Sequence, residues 1–127
     1  MSKVIDAPLL SSMIISGAYN LSNNRELVDA LNVFPVPDGD TGTNMSLTFI
    51  NAARSAENFD GDCYELLNAV AKATLRGARG NSGVILSQIF RGISKKIVPG
   101  KDVDVSVMKE ALKCGCDTAY SAVMKPT

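Results

Sequence analysis

The stretch YELLNAVAKATL, residues 64–75, decides the fold class because its apolar side chains recur at helical spacing. They stand three or four residues apart, which places them on one face of an α-helix: Tyr64, Leu67, Val70, Ala71 and Leu75. Turn-forming residues flank the stretch, with DGD at residues 60–62 before it and Gly77 after it. The sequence therefore predicts a helix with one apolar face between two turns.

The same spacing recurs on both sides of this stretch and predicts about six helices. The predicted helices cover residues 7–21, 24–31, 45–53, 64–75, 82–90 and 105–123. Asn24 is a candidate N-cap of the second helix, and Asn81 or Ser82 is a candidate N-cap of the fifth. Residues 97–98 and 103–105 are too short to build a sheet. The predicted class is all-α, as an antiparallel helical bundle or barrel.

The composition indicates one domain over residues 1–127 that carries no net charge. Lysines plus arginines number 13 and aspartates plus glutamates number 13, so the chain lacks the field that draws proteins onto nucleic acid or anionic membranes. No apolar run approaches the roughly 20 residues of a membrane span, and the N-terminus lacks the pattern of a signal peptide. We therefore expect a cytoplasmic protein that binds no nucleic acid and spans no membrane.

The absence of histidine limits the metal chemistry of the chain. Histidine is the usual general base and the usual nitrogen ligand of zinc, copper and iron. The three cysteines, Cys63, Cys114 and Cys116, are too few for a structural zinc site or a disulfide framework, and we expect them to be small core residues. Any metal is therefore expected to be held by oxygen, which leaves magnesium, manganese or calcium.

The segment PDGDTGTN contains the first candidate site. Its carboxylates, Asp38 and Asp40, are separated by one glycine, so both side chains can converge on a hard divalent cation. Asn32 stands close enough to add an amide oxygen, while Thr43 and Asn44 begin a helix whose N-terminus favours anions. An ordinary turn followed by a helix cap is the alternative. An EF-hand calcium loop is excluded, because apolar residues occupy its later ligand positions.

The segment GARGNSG, residues 77–83, contains the second candidate site. Its glycines allow a close approach of the backbone, and the helix that follows makes an anion site to which Ser82 adds a hydroxyl. A P-loop and a dinucleotide fingerprint are excluded, because no strand precedes the segment. A helix–helix connection with packing glycines is the alternative. Because magnesium is commonly shared between carboxylates and substrate phosphates, the two segments together predict a magnesium nucleotide site.

Two long segments resemble a known family: NVFPVPDGDTGTNM, residues 32–45, and RGNSGVILSQ, residues 79–88. They are similar to the N-terminal nucleotide-binding domain of bacterial fatty acid kinase, which itself resembles the ATP-binding L subunit of dihydroxyacetone kinase. The resemblance runs over the whole chain. It implies a helical barrel, of an eight-helix type, that binds ATP and one or two Mg²⁺ ions. Because the family domain is longer, it also implies a truncated chain that holds about six of these helices.

The resemblance further implies roles for individual residues. Asp38 and Asp40 match metal ligands, and Asn32 stands nearest to a third aspartate of the family. Because this sequence has an asparagine nearest to the place of that aspartate, the third metal ligand and the number of metal ions stay open. The ATP phosphates are expected to lie between two groups of residues: Thr43 and Asn44 on one side, and Gly80, Asn81, Ser82 and Gly83 on the other.

The reaction implied by the resemblance is phosphoryl transfer from ATP to a fatty acid that a separate lipid-binding protein presents, giving an acyl phosphate. A carboxylate acceptor is ionised at neutral pH and needs no general base, which suits a chain without histidine. The alternatives are a nucleotide-binding module without turnover, a dihydroxyacetone-kinase-like enzyme with a hydroxyl acceptor, and a metal-dependent phosphatase. Truncation exposes apolar helix faces, from which we expect self-association as a homodimer.

Overall fold

The computed structural model describes residues 3–31 and 39–124, and over these residues it is a bundle of six α-helices. In chain order the elements are β1 (Val4–Ile5), α1 (Ala7–Asn23), α2 (Arg25–Ala30), α3 (Thr41–Ala53), a 3₁₀ helix (Arg54–Ala56), α4 (Cys63–Arg76), α5 (Gly80–Ser94), β2 (Val103–Asp104) and α6 (Val105–Met124). The predicted all-α class is confirmed. None of the described helices is both long enough and apolar enough to cross a membrane.

Aspartates set the N-termini of α1, α4 and α6. Asp6 accepts a hydrogen bond of 2.9 Å from the backbone N–H three residues later, and Asp104 does the same before α6 at 2.8 Å. Asp62 and Glu65 form a capping box, in which each carboxylate accepts the other residue's backbone N–H, at 2.7 and 3.2 Å. Such caps satisfy N–H groups that have no partner inside the helix, so the chain itself stabilises these three helix ends.

The core lies between α1, α3, α4, α5 and α6, and its fully buried side chains include Leu66 and Val70 of α4 and Val103 of β2. Phe49 of α3 and Phe90 of α5 pack edge to face, with their ring centroids 5.2 Å apart. This aromatic contact helps to hold α3 against α5. The packing matters for function, because each of the two candidate segments leads into one of these helices.

The prediction that the extended segments are too short to pair was wrong in one place. β1 pairs with β2 in antiparallel register, with Val4 opposite Asp104 and Ile5 opposite Val103. The Val103 side chain is buried in the core, which anchors the pair. Periodicity reports only local order, so it does not reveal a two-residue contact between segments that are far apart in the chain.

The start of α5 also differs from the prediction. Neither Asn81 nor Ser82 caps this helix, because α5 begins at Gly80. Its N-cap residue is Arg79, whose side chain makes no cap hydrogen bond. A positive φ of 66° at Gly80 turns the chain into the helix earlier than expected. Asn24 is the N-cap residue of α2, as predicted, but its side chain makes no cap hydrogen bond and donates instead to a carbonyl of α1, 2.8 Å away.

The sequence predicted that all three cysteines are core residues, and this prediction is wrong for two of them. Cys63 is buried, Cys114 is half-buried and Cys116 is exposed, so the core prediction is confirmed for Cys63 alone. Burial raises the pKa of the Cys63 thiol, and nearby carboxylates add to the effect. Cys63 is therefore a neutral packing residue at physiological pH.

Candidate functional site

The two candidate segments meet where α3 and α5 begin. The Ser82 hydroxyl donates to the carbonyl oxygen of Thr41 over 3.4 Å, a long and weak hydrogen bond. Thr48 of α3 forms a stronger link. Its hydroxyl accepts the backbone N–H of Arg79 at 3.0 Å and donates to the Asn44 carbonyl at 2.7 Å. These bonds place the first turn of α5 beside the N-terminal half of α3.

Gly80 and Asn44 are in direct contact, and this contact requires glycine. A Cβ on Gly80 would overlap the side-chain amide of Asn44. The φ of 66° at Gly80 also lies in the left-handed region that L side chains rarely adopt. The half-buried Asn44 therefore lies at the very start of α5, in space that any other residue at position 80 would occupy.

The first turn of α5 presents backbone N–H groups that the described residues do not use. Within residues 3–31 and 39–124, the N–H groups of Gly80, Asn81 and Ser82 donate no hydrogen bond. Asp40 and Arg79, the N-cap residues of α3 and α5, make no side-chain cap hydrogen bond. Unused N–H groups and the positive end of the helix dipole together make such an end attractive to anions.

Asp29 is a site residue that the sequence analysis missed. Its carboxylate lies at the first turn of α3, where Oδ2 accepts from the Thr43 hydroxyl at 2.6 Å and Oδ1 from the Thr43 N–H at 2.9 Å. These two hydrogen bonds hold the pKa of Asp29 below its ordinary value of 3.8, so the carboxylate is ionised at neutral pH. The Asp29 carbonyl oxygen lies 3.8 Å from the Cβ position of Gly39, the residue before Asp40. Asp29 and Asp40 therefore border the same helix end.

One feature of the sequence points to Asp29. The residue stands in the last turn of α2, where a carboxylate faces the negative end of the helix dipole. An acidic residue is unfavourable at such a position unless another group binds it, and Thr43 does so here. The two partners stand 14 positions apart in the chain, so no local pattern reveals their contact.

The structure brings most of the predicted site residues to one place. Asp40, Thr43 and Asn44 lie at the start of α3, and residues 80–83 form the first turn of α5. Asp38 and Asn32 lie outside the described residues, so their metal contacts stay predictions. In the part of the chain that the structure describes, no three carboxylate, cysteine or histidine side chains form a group that could hold a metal ion.

Comparison with known proteins assigns the family. The DAK2 domain matches residues 35–127. The chain is 53% identical to Protein YloV of Bacillus subtilis over 125 residues, which are 98% of the chain and 23% of that protein. It is 53% identical over 127 residues to an uncharacterized protein of Staphylococcus epidermidis and 51% identical over 127 residues to one of Staphylococcus aureus. Both alignments cover 99% of the chain and 23% of the relative.

The chain thus spans 23% of the length of these curated relatives. The region matched by the DAK2 domain contains α3, α4, α5 and α6, and therefore both segments of the candidate site. The match covers more than half of the chain. The chain therefore belongs to the DAK2 domain family, which is related to dihydroxyacetone kinase.

Proposed function

We propose that this chain is the Mg-ATP-binding module of a kinase, with the nucleotide phosphates between the N-termini of α3 and α5. The observation that carries the proposal is the meeting of the helix starts of α3 and α5, of which the α5 start has an N-cap residue without a side-chain cap hydrogen bond. Contacts of Asn44 with Gly80 and of Ser82 with Thr41 join them. Membership of a dihydroxyacetone-kinase-like family supports a phosphotransferase role. The activity of the whole protein belongs to the proposal, since the chain spans 23% of its relatives.

The first turn of α5 offers donors for the phosphate groups. The backbone N–H groups of residues 80–82 have no acceptor in the described ranges. The Ser82 hydroxyl and the Asn44 amide lie beside them and can add side-chain hydrogen bonds. Because the positive ends of the α3 and α5 dipoles lie close together, a phosphate is stabilised here without a lysine.

Magnesium fits the oxygen donors that border this helix end. Asp40 and Asp29 supply carboxylates at the start of α3, and Asp38 supplies another by its place in the sequence. Carboxylate and phosphate oxygens are the ligands that Mg²⁺ prefers, and bound Mg²⁺ neutralises charge on the phosphates. Thr43 orients Asp29 through two hydrogen bonds. We therefore infer that Asp29 is a better third metal ligand than Asn32, because its side chain is charged and Thr43 already fixes its orientation.

The acceptor that we propose is a carboxylate, namely the fatty acid that a separate lipid-binding protein carries in the family that the sequence resembles. The chain has no histidine, and an ionised carboxylate needs no general base. A hydroxyl acceptor, as in dihydroxyacetone kinase, would require a carboxylate free of metal to act as the base. With a carboxylate acceptor, catalysis rests on positioning and charge neutralisation, which the helix starts and aspartates provide.

Calorimetric titration of Mg-ATP into the chain tests the proposal. We expect binding that requires magnesium, and we expect Asp40→Asn to weaken it on the order of 100-fold, which corresponds to about 2.7 kcal/mol. The loss would arise because a metal ligand loses its negative charge. Asp104→Asn is the matched control, since Asp104 is also an exposed aspartate that directly precedes a helix. This control should bind Mg-ATP as the wild type does.

A second step separates the competing reactions. Addition of the fatty-acid-loaded lipid-binding protein should produce ADP and an acyl phosphate. Binding of Mg-ATP without transfer would leave a nucleotide-binding module, and release of inorganic phosphate without the partner would indicate a phosphatase. If the wild-type chain binds no nucleotide in the presence of magnesium, the proposal is rejected.

A further inference from the structure

A cavity of about 250 Å³ lies on the side of α3, next to the connection between α4 and α5. Two arginines, an amide, two aliphatic side chains and a glycine line it: Leu47, Ile50, Asn51, Arg54, Gly77 and Arg79. We call it the Arg54–Arg79 pocket. None of these lining residues is acidic, so the lining is cationic and aliphatic.

Neither arginine of the pocket has a partner in the described part of the chain. The guanidinium groups of Arg54 and Arg79 make no ion pair or hydrogen bond there, and the Asn51 amide makes no hydrogen bond. The Arg79 backbone N–H, in contrast, is bound to Thr48 at 3.0 Å. The residue is therefore fixed by its backbone while its charge is unused. Two like charges at one cavity repel each other, and an anion between them removes that repulsion.

The remaining lining residues give the pocket its shape and its apolar part. A Cβ on Gly77 would overlap the amide nitrogen of Asn51, so Asn51 lies directly against the connection that carries Arg79. Leu47 is 42% exposed and Ile50 is half-buried, so both keep apolar surface that a ligand can cover. A few polar groups beside aliphatic surface are typical of small-molecule sites.

The pocket is separate from the candidate nucleotide site. Its α3 residues, Leu47, Ile50 and Asn51, follow Thr41 by six to ten positions, which is roughly 9 to 15 Å along the helix axis at about 1.5 Å per residue. Arg54 lies beyond the end of α3. The N–H groups at the start of α3 therefore do not reach a ligand held by Arg54. Arg79 directly precedes Gly80 and is the one lining residue next to the phosphate-binding turn.

We propose that the Arg54–Arg79 pocket is a second anion site, which binds the carboxylate or phosphate head of a small ligand whose apolar part covers Leu47 and Ile50. Guanidinium groups are planar and offer parallel N–H donors, which match the paired oxygens of either head. The site goes beyond the proposed nucleotide function and does not depend on it.

Titration followed by NMR of the arginine side-chain Nε–Hε signals tests this site directly. The probes are sodium acetate, sodium hexanoate and inorganic phosphate, each at constant ionic strength with chloride as the balancing anion. We expect saturable shifts at Arg54 and Arg79 with a Kd on the order of 1–10 mM, as a few charge-assisted hydrogen bonds would give. Tighter binding of hexanoate than of acetate supports the contact with Leu47 and Ile50. Tighter binding of phosphate than of hexanoate identifies a phosphate head.

Three variants complete the test. Arg54→Gln and Arg79→Gln each remove one charge from exposed positions and should weaken the anion about tenfold. Arg91→Gln, which removes an exposed charge from α5 outside the pocket, should leave the anion affinity unchanged. Asp40→Asn should also leave it unchanged, which separates this site from the nucleotide site. Absence of saturation in the wild type, or equal weakening by Arg91→Gln, would overturn the proposal, and equal affinities of acetate and hexanoate would overturn its apolar part.

Discussion

The helices α4 and α5 follow each other in the chain and pack together, yet their N-termini are built in opposite ways. Asp62 and Glu65 close the start of α4 with a capping box, and Asp62 also accepts the Gly100 N–H at 2.7 Å. The start of α5 has Arg79 as its N-cap residue, without a side-chain cap. Its first N–H groups find no acceptor among the residues described.

The difference in capping indicates that the two helix ends have different roles. A capped end such as that of α4 gains stability from its own side chains, and Asp62 also ties the loop at Gly100 to the helix. The start of α5 forgoes that gain at its N-cap position, whereas Asp29 of α2 accepts the Thr43 N–H at the start of α3. Because an uncapped helix end costs stability, we infer that a ligand completes the start of α5. A variant at the start of α3 or α5 should then change mainly ligand affinity, and a variant at the start of α4 should change mainly stability.

Replacement of Gly80 by alanine should give the largest loss at the uncapped end. The new Cβ would overlap the Asn44 amide, and alanine is strained at a φ of 66°. Both effects displace the first turn of α5, so we expect Mg-ATP affinity to fall on the order of 100-fold, or about 2.7 kcal/mol. Calorimetric titration measures the affinity, and thermal unfolding measures the accompanying change in stability.

Gly100→Ala is the control for backbone strain. Gly100 has a φ of 77°, and no atom lies within 4 Å of a Cβ placed there. Both substitutions therefore introduce a left-handed alanine, which costs roughly 1–2 kcal/mol, but only Gly80→Ala introduces an overlap. If Gly100→Ala lowers the nucleotide affinity as much as Gly80→Ala does, strain alone explains the loss and the first turn of α5 is not a phosphate site.

Asp29→Asn should have a smaller effect on the same end. Asparagine keeps the size of the side chain and can still accept the Thr43 N–H, so the main loss is the negative charge beside α3. We expect Mg²⁺-dependent ATP binding to weaken about tenfold, the range found when groups around a metal site are altered. The melting temperature, measured without ligand, should change little.

Glu26→Gln serves as the matched control, because it removes an exposed negative charge from the same short helix. Its affinity should equal that of the wild type. An unchanged affinity in Asp29→Asn would show that Asp29 serves α3 as a structural acceptor for Thr43 and takes no part in metal binding.

Features fixed by neighbouring residues could be predicted from the sequence. The helical spacing of the stretch that first indicated the fold predicted the buried residues Leu67 and Val70 of α4. It did not predict the burial of Leu66, and two residues of the predicted face, Tyr64 and Leu75, are exposed. The segment around Asp40 and the turn before Ser82 were recognisable because glycines, carboxylates and hydroxyls are concentrated there. Each of these signals lies within a few residues, where spacing and composition carry information.

Features formed by distant residues could not be predicted. The Thr43 contact joins Asp29 to a residue 14 positions further along the chain, and the β1–β2 pair joins residues 4–5 to residues 103–104. Arg79 is the N-cap residue of α5, and the Gly80 that follows it lies against the Asn44 side chain of α3. Such contacts arise from packing, and no local pattern specifies which distant side chain will be the partner.

Asp62→Ala should have the smallest effect on the site and a clear effect on stability. The variant removes the cap of α4 and the acceptor of the Gly100 N–H, while α3 and α5 keep their starts. Mg-ATP affinity should therefore match that of the wild type, and the melting temperature at pH 7 should fall on the order of 5 °C. Loss of nucleotide affinity greater than the loss from Asp29→Asn would contradict the division between capped and uncapped ends.

The pH dependence of this stability difference follows from the hydrogen bonds of Asp62. The N–H groups of Glu65 and Gly100 hold the pKa of Asp62 in the folded state below its ordinary value of 3.8. The ionised carboxylate therefore stabilises the fold fully above pH 3.8, and this contribution disappears as the pH falls through the lower folded-state pKa. The melting temperatures of wild type and Asp62→Ala should differ by a constant amount near neutrality and converge below pH 3.8. A difference that persists unchanged in acid would mean that packing around Asp62, and not its charge, stabilises α4.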